Sequence, residues 1–545
     1  MFKKLSKMVG AIALVLVAVM MFSACEAPKG EVRPSTAYSN APNYANTAPA
    51  SRAPSSNASP SDNVHYAPVA SSYPDLEEAP FPDEEYLEIS ENAVKLVQDN
   101  PLLTFSLKVD TASYRNIARY INSGYLPPAD AVRIEEMINY FNYDIPLTPI
   151  DGTPFAIYTE VGPSPFSANN EIAFVRVKSK EIDRSELPRC NLTFLIDSSG
   201  SMSSYDKLYL LQQSFGLLVE TLTEDDIVSI VTYAGNAAVL LDSVSGSQKG
   251  RILDVINGLQ ASGSTAGADG INTAYKLAEK NFIPGANNRV LLATDGDFNV
   301  GVSSVKDLEA LIRQKRESGI YLTILGVGTE NLKDNRMETI AKNGNGNYSY
   351  LDTIAEAQKV LVDEMGATLY TIADDVKAQI EFNPALVESY RLIGYENRML
   401  ADKDFNDDTK DAGEIGVGTD VILMFEITRK ANIEYRYQQN EQAAEPTEFA
   451  DELFLVKIRY KDPGESVSKL ISVPVKTESY TDFNSSDFNF AVSVAEFGHL
   501  LNNSEYKGGI TPEGVKARAL DSMGRDNGEY RKEFVSLVDL YMKMI

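Results

Sequence analysis

The sequence predicts an α/β protein built on a doubly wound, mostly parallel sheet, which is inserted in or flanked by a β-rich domain and followed by a helical C-terminal region. Three observations predict this arrangement. Between residues 188 and 371, apolar strands alternate with amphipathic helices, as in a parallel sheet covered on both faces. Between 372 and 480, strand-like runs follow one another without a long helix, which favours an antiparallel sheet or sandwich. From 481 to 545 the apolar residues recur at helical spacing.

Length and charge limit the class of protein. The chain has 545 residues, enough for two or three domains. Its 77 acidic residues outnumber 50 basic ones, for a formal net charge of −27. This charge argues against nucleic acid and anionic membrane surfaces as partners. It is compatible with a divalent cation or with a basic partner surface, although solubility outside the cell is the simpler explanation.

Residues 1–24 are predicted to be a lipoprotein signal peptide. Three lysines among the first seven residues precede an apolar core over 8–22 that is short for a membrane span. The sequence Phe22–Cys25 resembles a bacterial lipobox, so we expect cleavage before Cys25 and lipidation of that cysteine. An uncleaved anchor is the alternative. In both cases we expect a bacterial cell-envelope protein held on the outer or cytoplasmic membrane, facing the periplasm or the exterior.

Residues 25–85 are predicted to be a disordered tether between the lipid and the folded body. Residues 26–75 contain no Leu, Ile, Phe or Met and are rich in Ala, Pro, Ser and Asn. Such a segment cannot bury enough apolar surface to offset its ordering entropy. An N-terminal α+β region over residues 86–187 follows it.

The α+β region contains two predicted helices and two predicted strands. We predict helices over 110–124, capped by Asp110 or Thr111, and over 129–141. Alternating apolar residues within 155–177 predict the strands. Because strands both precede and follow the α/β region, we expect the two flanks to pair into one β domain with the α/β module inserted.

The periodic spacing of apolar residues is clearest in the α/β region and in the C-terminal tail. The predicted strands of the α/β region are 192–196, 227–233, 290–294, 321–327 and 348–350, and its predicted helices are 207–222, 252–259, 267–282, 305–318 and 354–370. The tail is predicted to form helices over 487–501, from Thr511-Pro512-Glu513 onward, and over 529–544. In parallel sheets of this kind, ligands bind beyond the carboxyl ends of the strands, where the strand order reverses.

Polar residues follow the predicted parallel strands at their carboxyl ends, where such a ligand site is expected. Asp197, Ser199 and Ser201 alternate directly after a buried strand, and Asp295 ends a second one. Thr265 lies in a Gly/Ser-rich loop between them. Carboxylate and hydroxyl oxygens are the ligands that Mg²⁺ prefers. We therefore expect these five side chains to form a metal site, whereas the simpler alternative is that they cap turns and helices.

The motif D-x-S-x-S, the GST loop and the later T-D-G together resemble the metal-ion-dependent adhesion site of von Willebrand factor type A (vWA) domains, over roughly residues 189–370. Most of the chain also resembles uncharacterised bacterial vWA-domain lipoproteins. The resemblance implies a Rossmann-like fold and a bound divalent ion, Mg²⁺ first, with Mn²⁺ and Ca²⁺ as alternatives. It also implies a protein partner that supplies an acidic side chain to the ion.

The sequence does not favour an enzyme. Its two histidines, His65 and His499, exclude an H-E-x-x-H motif and leave no credible Ser-His-Asp set. We expect a lipid-anchored binding protein that acts in adhesion or assembly. Two alternatives stay open: a chaperone-like assembly factor working with a partner ATPase, and a metal-dependent hydrolase, which lacks a visible base.

The acidic run Asp402–Asp411, DKDFNDDTKD, is a second candidate cation loop. It has no Gly at the sixth position and no Glu at the twelfth, so it does not follow the EF-hand pattern. We therefore interpret the run as a solvated loop.

Overall fold

The structure is a computed structural model that describes residues 81, 83–108, 110–150, 152–265, 267–296, 305–316, 318–431 and 449–545. The predicted signal peptide, the predicted lipidation site Cys25 and nearly all of the predicted tether lie outside these residues. Of the helices that the structure describes, none combines the length and the apolar composition that crossing a bilayer requires.

The described residues form sixteen strands and twelve α-helices. The strands are β1 Lys95–Leu96, β2 Leu102–Ser106, β3 Phe155–Pro163, β4 Asn170–Ser179, β5 Cys190–Asp197, β6 Ile227–Tyr233, β7 Ala237–Ser245, β8 Asn287–Thr294, β9 Tyr321–Val327, β10 Tyr348–Leu351, β11 Thr371–Phe382, β12 Val387–Ile393, β13 Gly413–Gly416, β14 Asp420–Arg429, β15 Glu452–Lys461 and β16 Lys469–Lys476. The helices are α1 Ala112–Asn122, α2 Ile134–Ile138, α3 Leu210–Thr221, α4 Lys249–Asn257, α5 Gly267–Lys280, α6 Val305–Arg316, α7 Asp334–Asn343, α8 Ile354–Gln358, α9 Met365–Leu369, α10 Ser486–Leu501, α11 Pro512–Asp521 and α12 Tyr530–Tyr541.

The central sheet has six strands in the order β10-β9-β8-β5-β6-β7. All neighbours are parallel except β7, which pairs antiparallel with β6 at one edge. Buried residues of α3 and α4 pack on one face of the sheet, and those of α5, α6 and α7 pack on the other. The predicted doubly wound sheet is confirmed, and its strand order reverses at β5.

Two antiparallel sheets form the β-rich domain. One has the order β1-β12-β14-β4-β3. The other has the order β13-β11-β15-β16, with β2 pairing along the same β11. Strand β4 pairs with β14 from Lys178 opposite Asp420 to Asn170 opposite Thr428. Strands that precede the central α/β region thus pair with strands that follow it, as we expected for an inserted module.

The two antiparallel sheets face each other across one apolar core, as in a sandwich. At its centre the ring of Phe425 lies 5.0 Å from that of Phe454 and 5.5 Å from that of Phe382. Phe425 belongs to one sheet, whereas Phe382 and Phe454 belong to the other. Burial of these rings ties the two sheets together.

A helical layer covers the outer face of the first sheet. Residues Ile422 and Met424 of β14 pack with Phe488, Phe490 and Phe534 of the tail helices. The residues that alternate with Ile422 and Met424 in β14 point to the opposite face, into the sandwich core. Strand β14 is therefore buried on both faces, which explains its continuous apolar sequence.

The structure corrects several predicted elements. Residues 129–141 do not form one helix: a 3₁₀ turn, Ala129–Ala131, is separated from α2 by the extended residue Arg133. The predicted helix over 354–370 is interrupted by a π-helical turn between α8 and α9. Asp110 does not cap α1, because its carboxylate accepts a hydrogen bond from Tyr348 N and pairs with Arg398. Strand β7 and helix α7 were not predicted.

Candidate metal centre

Asp197 is the last residue of β5 and is fully buried. Its Oδ1 accepts a hydrogen bond from Ser199 N at 2.9 Å, and its Oδ2 accepts one from Thr294 Oγ1 at 3.3 Å. Strands β5 and β8 are parallel neighbours with Ile196 opposite Ala293. Their carboxyl ends meet at one edge of the sheet, so the carboxylates that end both strands are brought together.

The two predicted serine ligands lie in the turn that follows Asp197. Ser199 is buried and Ser201 is half-buried. Their Oγ atoms are 3.0 Å apart, since a 3₁₀ turn begins at Gly200 and brings the alternate side chains to the same side. The two hydroxyls therefore add oxygen atoms beside the carboxylate of Asp197.

Thr265 belongs to a loop that docks on this turn. Gly200 N donates to Gly263 O at 3.0 Å, and Ser262 N donates to Ser198 O at 2.8 Å. Gly263 has a φ of +80°, a conformation that glycine adopts without strain. Thr265 follows two residues later and is half-buried. The structure therefore places the loop of Thr265 beside the serine turn.

Asp295 follows β8 directly and is fully buried. Its Oδ2 lies 3.1 Å from Lys207 Nζ and accepts a hydrogen bond from Asn331 Nδ2 at 3.1 Å. Lys207 Nζ also donates to Asn331 Oδ1 at 2.7 Å. The sequence did not predict that Lys207 and Asn331 lie beside Asp295, because each comes from a separate segment that carries no recognisable motif. Thr294 could have been noticed in the sequence as the first residue of T-D-G.

The backbone at Gly328 restricts the position of the Lys207 side chain. Gly328 has a φ of +84°, and a Cβ added there would lie within 3 Å of three carbon atoms of the Lys207 side chain. The lysine stem therefore passes directly over a glycine that has no room for a side chain. This packing fixes the ammonium on the side of Asp295.

The electrostatics and the donor chemistry of the centre suit a cation. The pKa of Asp197 is raised to about 6, chiefly by burial and also by the charge of Asp295, against hydrogen bonds from Ser199 that lower it. The predicted donors are oxygens throughout: two carboxylates and the hydroxyls of Ser199, Ser201 and Thr265. Hard divalent cations prefer such oxygens, so the residues present fit a small divalent ion.

Three models of known protein families match this chain. A family model described as von Willebrand factor type A domain matches residues 191–363. A second, described as von Willebrand factor, matches 80–174, and a third, described as Uncharacterized protein YfbK, C-terminal, matches 367–544. The matches together run from before α1 to the end of α12. Type A domains commonly mediate protein interactions, and they often bind a divalent metal.

Several relatives share parts of this sequence. "Uncharacterized protein YfbK" of Escherichia coli (strain K12) is 46% identical over 468 residues, which cover 84% of this chain and 80% of the relative. "Inter-alpha-trypsin inhibitor heavy chain H3" of Homo sapiens is 26% identical over 178 residues, 31% of this chain and 20% of the relative. The solved structure "von Willebrand factor type A from Catenulispora acidiphila" has a TM-score of 0.41 and 15% identity, over 73% of this chain and 91% of that one. On the strength of the match to YfbK along most of both sequences, the chain belongs to the YfbK family of bacterial von Willebrand factor type A domain proteins.

Proposed function

We propose that this protein is a cell-envelope lipoprotein whose type A domain binds an acidic side chain of a protein partner through a divalent metal ion. The observation that carries the proposal is the convergence of Asp197, Ser199, Ser201 and Asp295 at the carboxyl edge of the central sheet, where the strand order reverses. Sites at this position are open to ligands from outside the sheet.

Five side chains would hold the ion. Ser199, Ser201 and Thr265 offer neutral hydroxyls, and Asp197 and Asp295 offer negative charge, directly or through water. Mg²⁺ is the ion that best suits a small, hydroxyl-rich donor set, with Mn²⁺ and Ca²⁺ as alternatives. When bound, the ion supplies a positive centre that attracts a carboxylate. Three of the five donors are neutral hydroxyls, and the carboxylate of Asp295 is already paired with Lys207, so the bound ion keeps enough positive character to attract a carboxylate from a partner.

Binding without catalysis fits the neighbourhood of the centre. Hydrolysis needs a base that activates water or a nucleophile. His499 lies in α10 within the helical layer, packed edge-on against Phe166 at 4.9 Å between ring centroids, and not at the serine turn. The cation beside the centre, Lys207, is engaged by Asp295 and Asn331. We therefore propose adhesion or assembly as the role.

The envelope location is part of the proposal and rests on the sequence. The basic and apolar N-terminal segment and the lipobox-like Phe22–Cys25 support export and lipidation. Metabolic labelling with a fatty-acid analogue tests this: we expect label on the wild type and none on Cys25→Ala. Label on both variants would contradict lipidation at Cys25.

Metal-dependent binding is tested with Asp197→Ala. Asp225→Ala is the matched control, because it removes an exposed carboxylate at the opposite, amino end of β6. We expect crosslinking in intact cells to capture a partner with the wild type and with Asp225→Ala. Capture should be lost with Asp197→Ala and after EDTA, while circular dichroism stays unchanged. Equal capture by all variants, with or without EDTA, would overturn the role of the ion.

A further inference from the structure

Two exposed tyrosines lie in the turn that follows the serine ligands of the candidate metal centre. A π-helical turn, Tyr205–Tyr209, begins four residues after Ser201 and leads into α3. Tyr205 is 75% exposed and Tyr209 is 41% exposed. Neighbouring exposed rings are candidates for a contact surface, because tyrosine is enriched where proteins bind one another.

The rings of Tyr205 and Tyr209 form a stack. Their centroids are 4.2 Å apart at an interplanar angle of 31°, since residues four apart lie on the same side of a helical turn. A hydrogen bond with Tyr209 raises the pKa of Tyr205, so the Tyr205 hydroxyl stays protonated at neutral pH. The two side chains therefore hold each other in place and present a preformed aromatic surface to the solvent.

Hydrogen bonds fix this turn against the rim of the centre. Asp206 Oδ2 accepts from Thr329 N at 3.0 Å and from Thr329 Oγ1 at 3.1 Å. Two residues later in the same loop, Asn331 donates to Asp295. Lys207, which follows Asp206, also reaches Asp295. The turn that carries the tyrosines is thus tied through two residues to the carboxylate of Asp295.

The tyrosine pair is within reach of a short segment bound at the ion. The chain from Ser201 to Tyr205 advances by four residues, which span at most about 14 Å. An extended peptide advances about 3.3 Å per residue. A partner segment whose acid binds the ion can therefore place a side chain over the tyrosines from a position within four residues of that acid.

Charge selects the kind of side chain that fits there. Asp206 holds a half-buried carboxylate in the turn, and Glu330 is exposed beside Thr329. The cation of the turn, Lys207, is buried and paired with Asp295, so it does not offset these charges at the surface. The faces of tyrosine rings attract cations, and a guanidinium also stacks flat on them. An arginine therefore complements this surface, whereas a second acidic side chain would be repelled.

We propose that Tyr205 and Tyr209 form a second contact for the same partner and receive an arginine that lies within four positions of the metal-binding acid. This inference rests on the proposed function, because it requires a partner acid at the ion. The ion then selects the acid, and the tyrosine pair selects its basic neighbour. An exposed cation–π contact is worth about two- to fivefold in affinity, so the pair contributes mainly to the choice of partner.

Selection from a phage-displayed library of nonapeptides tests the inference, with aspartate fixed at the centre and random residues on both sides. The full chain is the bait, in MgCl₂ and physiological salt, which screens general attraction to an acidic protein. With the wild type we expect arginine to be enriched near the aspartate, and we expect EDTA to abolish selection. The double variant Tyr205→Ser/Tyr209→Ser should still retain phage in MgCl₂ but lose the enrichment, since its net charge is unchanged.

A synthetic peptide from the wild-type selection gives the size of the effect. It should bind Tyr205→Ser/Tyr209→Ser at least about twofold more weakly than the wild type. Mg²⁺ titration should give the same affinity for both proteins, because neither tyrosine belongs to the donor set. Tyr480→Ser is the matched control: it removes an exposed tyrosine that contacts Asp482 beside β3, and it should bind the peptide as the wild type does.

The inference is overturned if magnesium-dependent selection shows no enrichment of arginine, if apolar residues are enriched in its place, or if Tyr205→Ser/Tyr209→Ser keeps the same enrichment. Selection that EDTA does not affect, or no selection by the wild type, would overturn the proposed function and this inference with it. The first outcomes require magnesium-dependent binding and the second exclude it, so the two failures are distinguishable.

Discussion

Lys207 Nζ lies 3.1 Å from Asp295 Oδ2, so the candidate metal centre contains a cation of its own. The ammonium is buried, is shared with Asn331 and is held over Gly328. A divalent ion bound among Asp197, Ser199 and Asp295 would therefore share Asp295 with a fixed positive charge. Like charges in a buried site repel strongly.

Lys207→Met is predicted to tighten Mg²⁺ binding, since it removes that repulsion and keeps the apolar stem. We expect a gain of about tenfold or more in affinity, measured by calorimetric titration with MgCl₂. Lys207→Arg, which keeps the charge, is the control and should show no gain. Equal affinity in all three proteins would mean that the lysine does not oppose the ion.

Arg133 is predicted to be a main support of the contact between α2 and α7. Its guanidinium is nearly fully buried and lies 2.7 Å from both Glu136 and Asp334. Arg133→Met leaves two buried carboxylates without their cation, which costs roughly 3–5 kcal/mol. Urea unfolding should show this loss. Lys476→Met breaks the exposed pair with Asp451 and should leave the unfolding midpoint unchanged.

Phe425→Ala is predicted to destabilise the sandwich strongly. The ring is fully buried between Phe382 and Phe454 of the facing sheet, so its removal leaves a cavity between the two sheets. We expect a loss of about 3–5 kcal/mol in the free energy of unfolding. Phe483→Ala, at a side chain that is 94% exposed, should change stability by less than about 0.5 kcal/mol. Similar effects of both substitutions would contradict the described core.

Glu356 is predicted to make stability depend on pH. Burial raises the pKa of Glu356 to about 7, against the opposing effect of Lys359. Between about pH 4.5 and 7 the folded protein then holds a proton that the unfolded chain has lost. The free energy of unfolding should therefore fall as pH rises through this window, by on the order of 3 kcal/mol for this group.

Glu356→Gln should reduce that dependence by the share of this group, because the amide is neutral throughout, and it should leave the protein more stable than the wild type at pH 8. Urea unfolding between pH 5 and 8 measures both effects. Glu224→Gln, at an exposed position, should keep the wild-type slope. A wild-type stability that is flat or rises with pH across the window would refute the role of Glu356.

Prediction from the sequence succeeded where local patterns dominate. The boundaries of β6 and β9 were predicted to the residue, because β-branched and apolar residues are confined to the buried strands. The oxygen-rich turn after Asp197 was located for the same reason: a polar motif directly follows a buried strand. Whether it binds a metal stays a prediction that titration tests.

Prediction failed where distant residues override local propensity. Residues 129–141 have a helical pattern, but Arg133 leaves the helix to reach Asp334, which is 201 positions away. Asp110 has the chemistry of a cap, but it is drawn into pairs with Lys108 and Arg398. Strand β7 was missed because, as an edge strand, it shows exposed apolar residues at Val239 and Leu240.

The sequence alone determined the fold class and nominated the five side chains of the candidate centre, because hydrophobic periodicity and short motifs are local properties. Only the tertiary structure decided which residues surround that centre and which charged groups meet elsewhere. Lys207 reaches Asp295, and Arg133 reaches Asp334, through contacts between distant segments that no linear spacing encodes. Burial then set the free energies of these charged groups, because a charge excluded from water must be paired or be neutralised by the gain or loss of a proton.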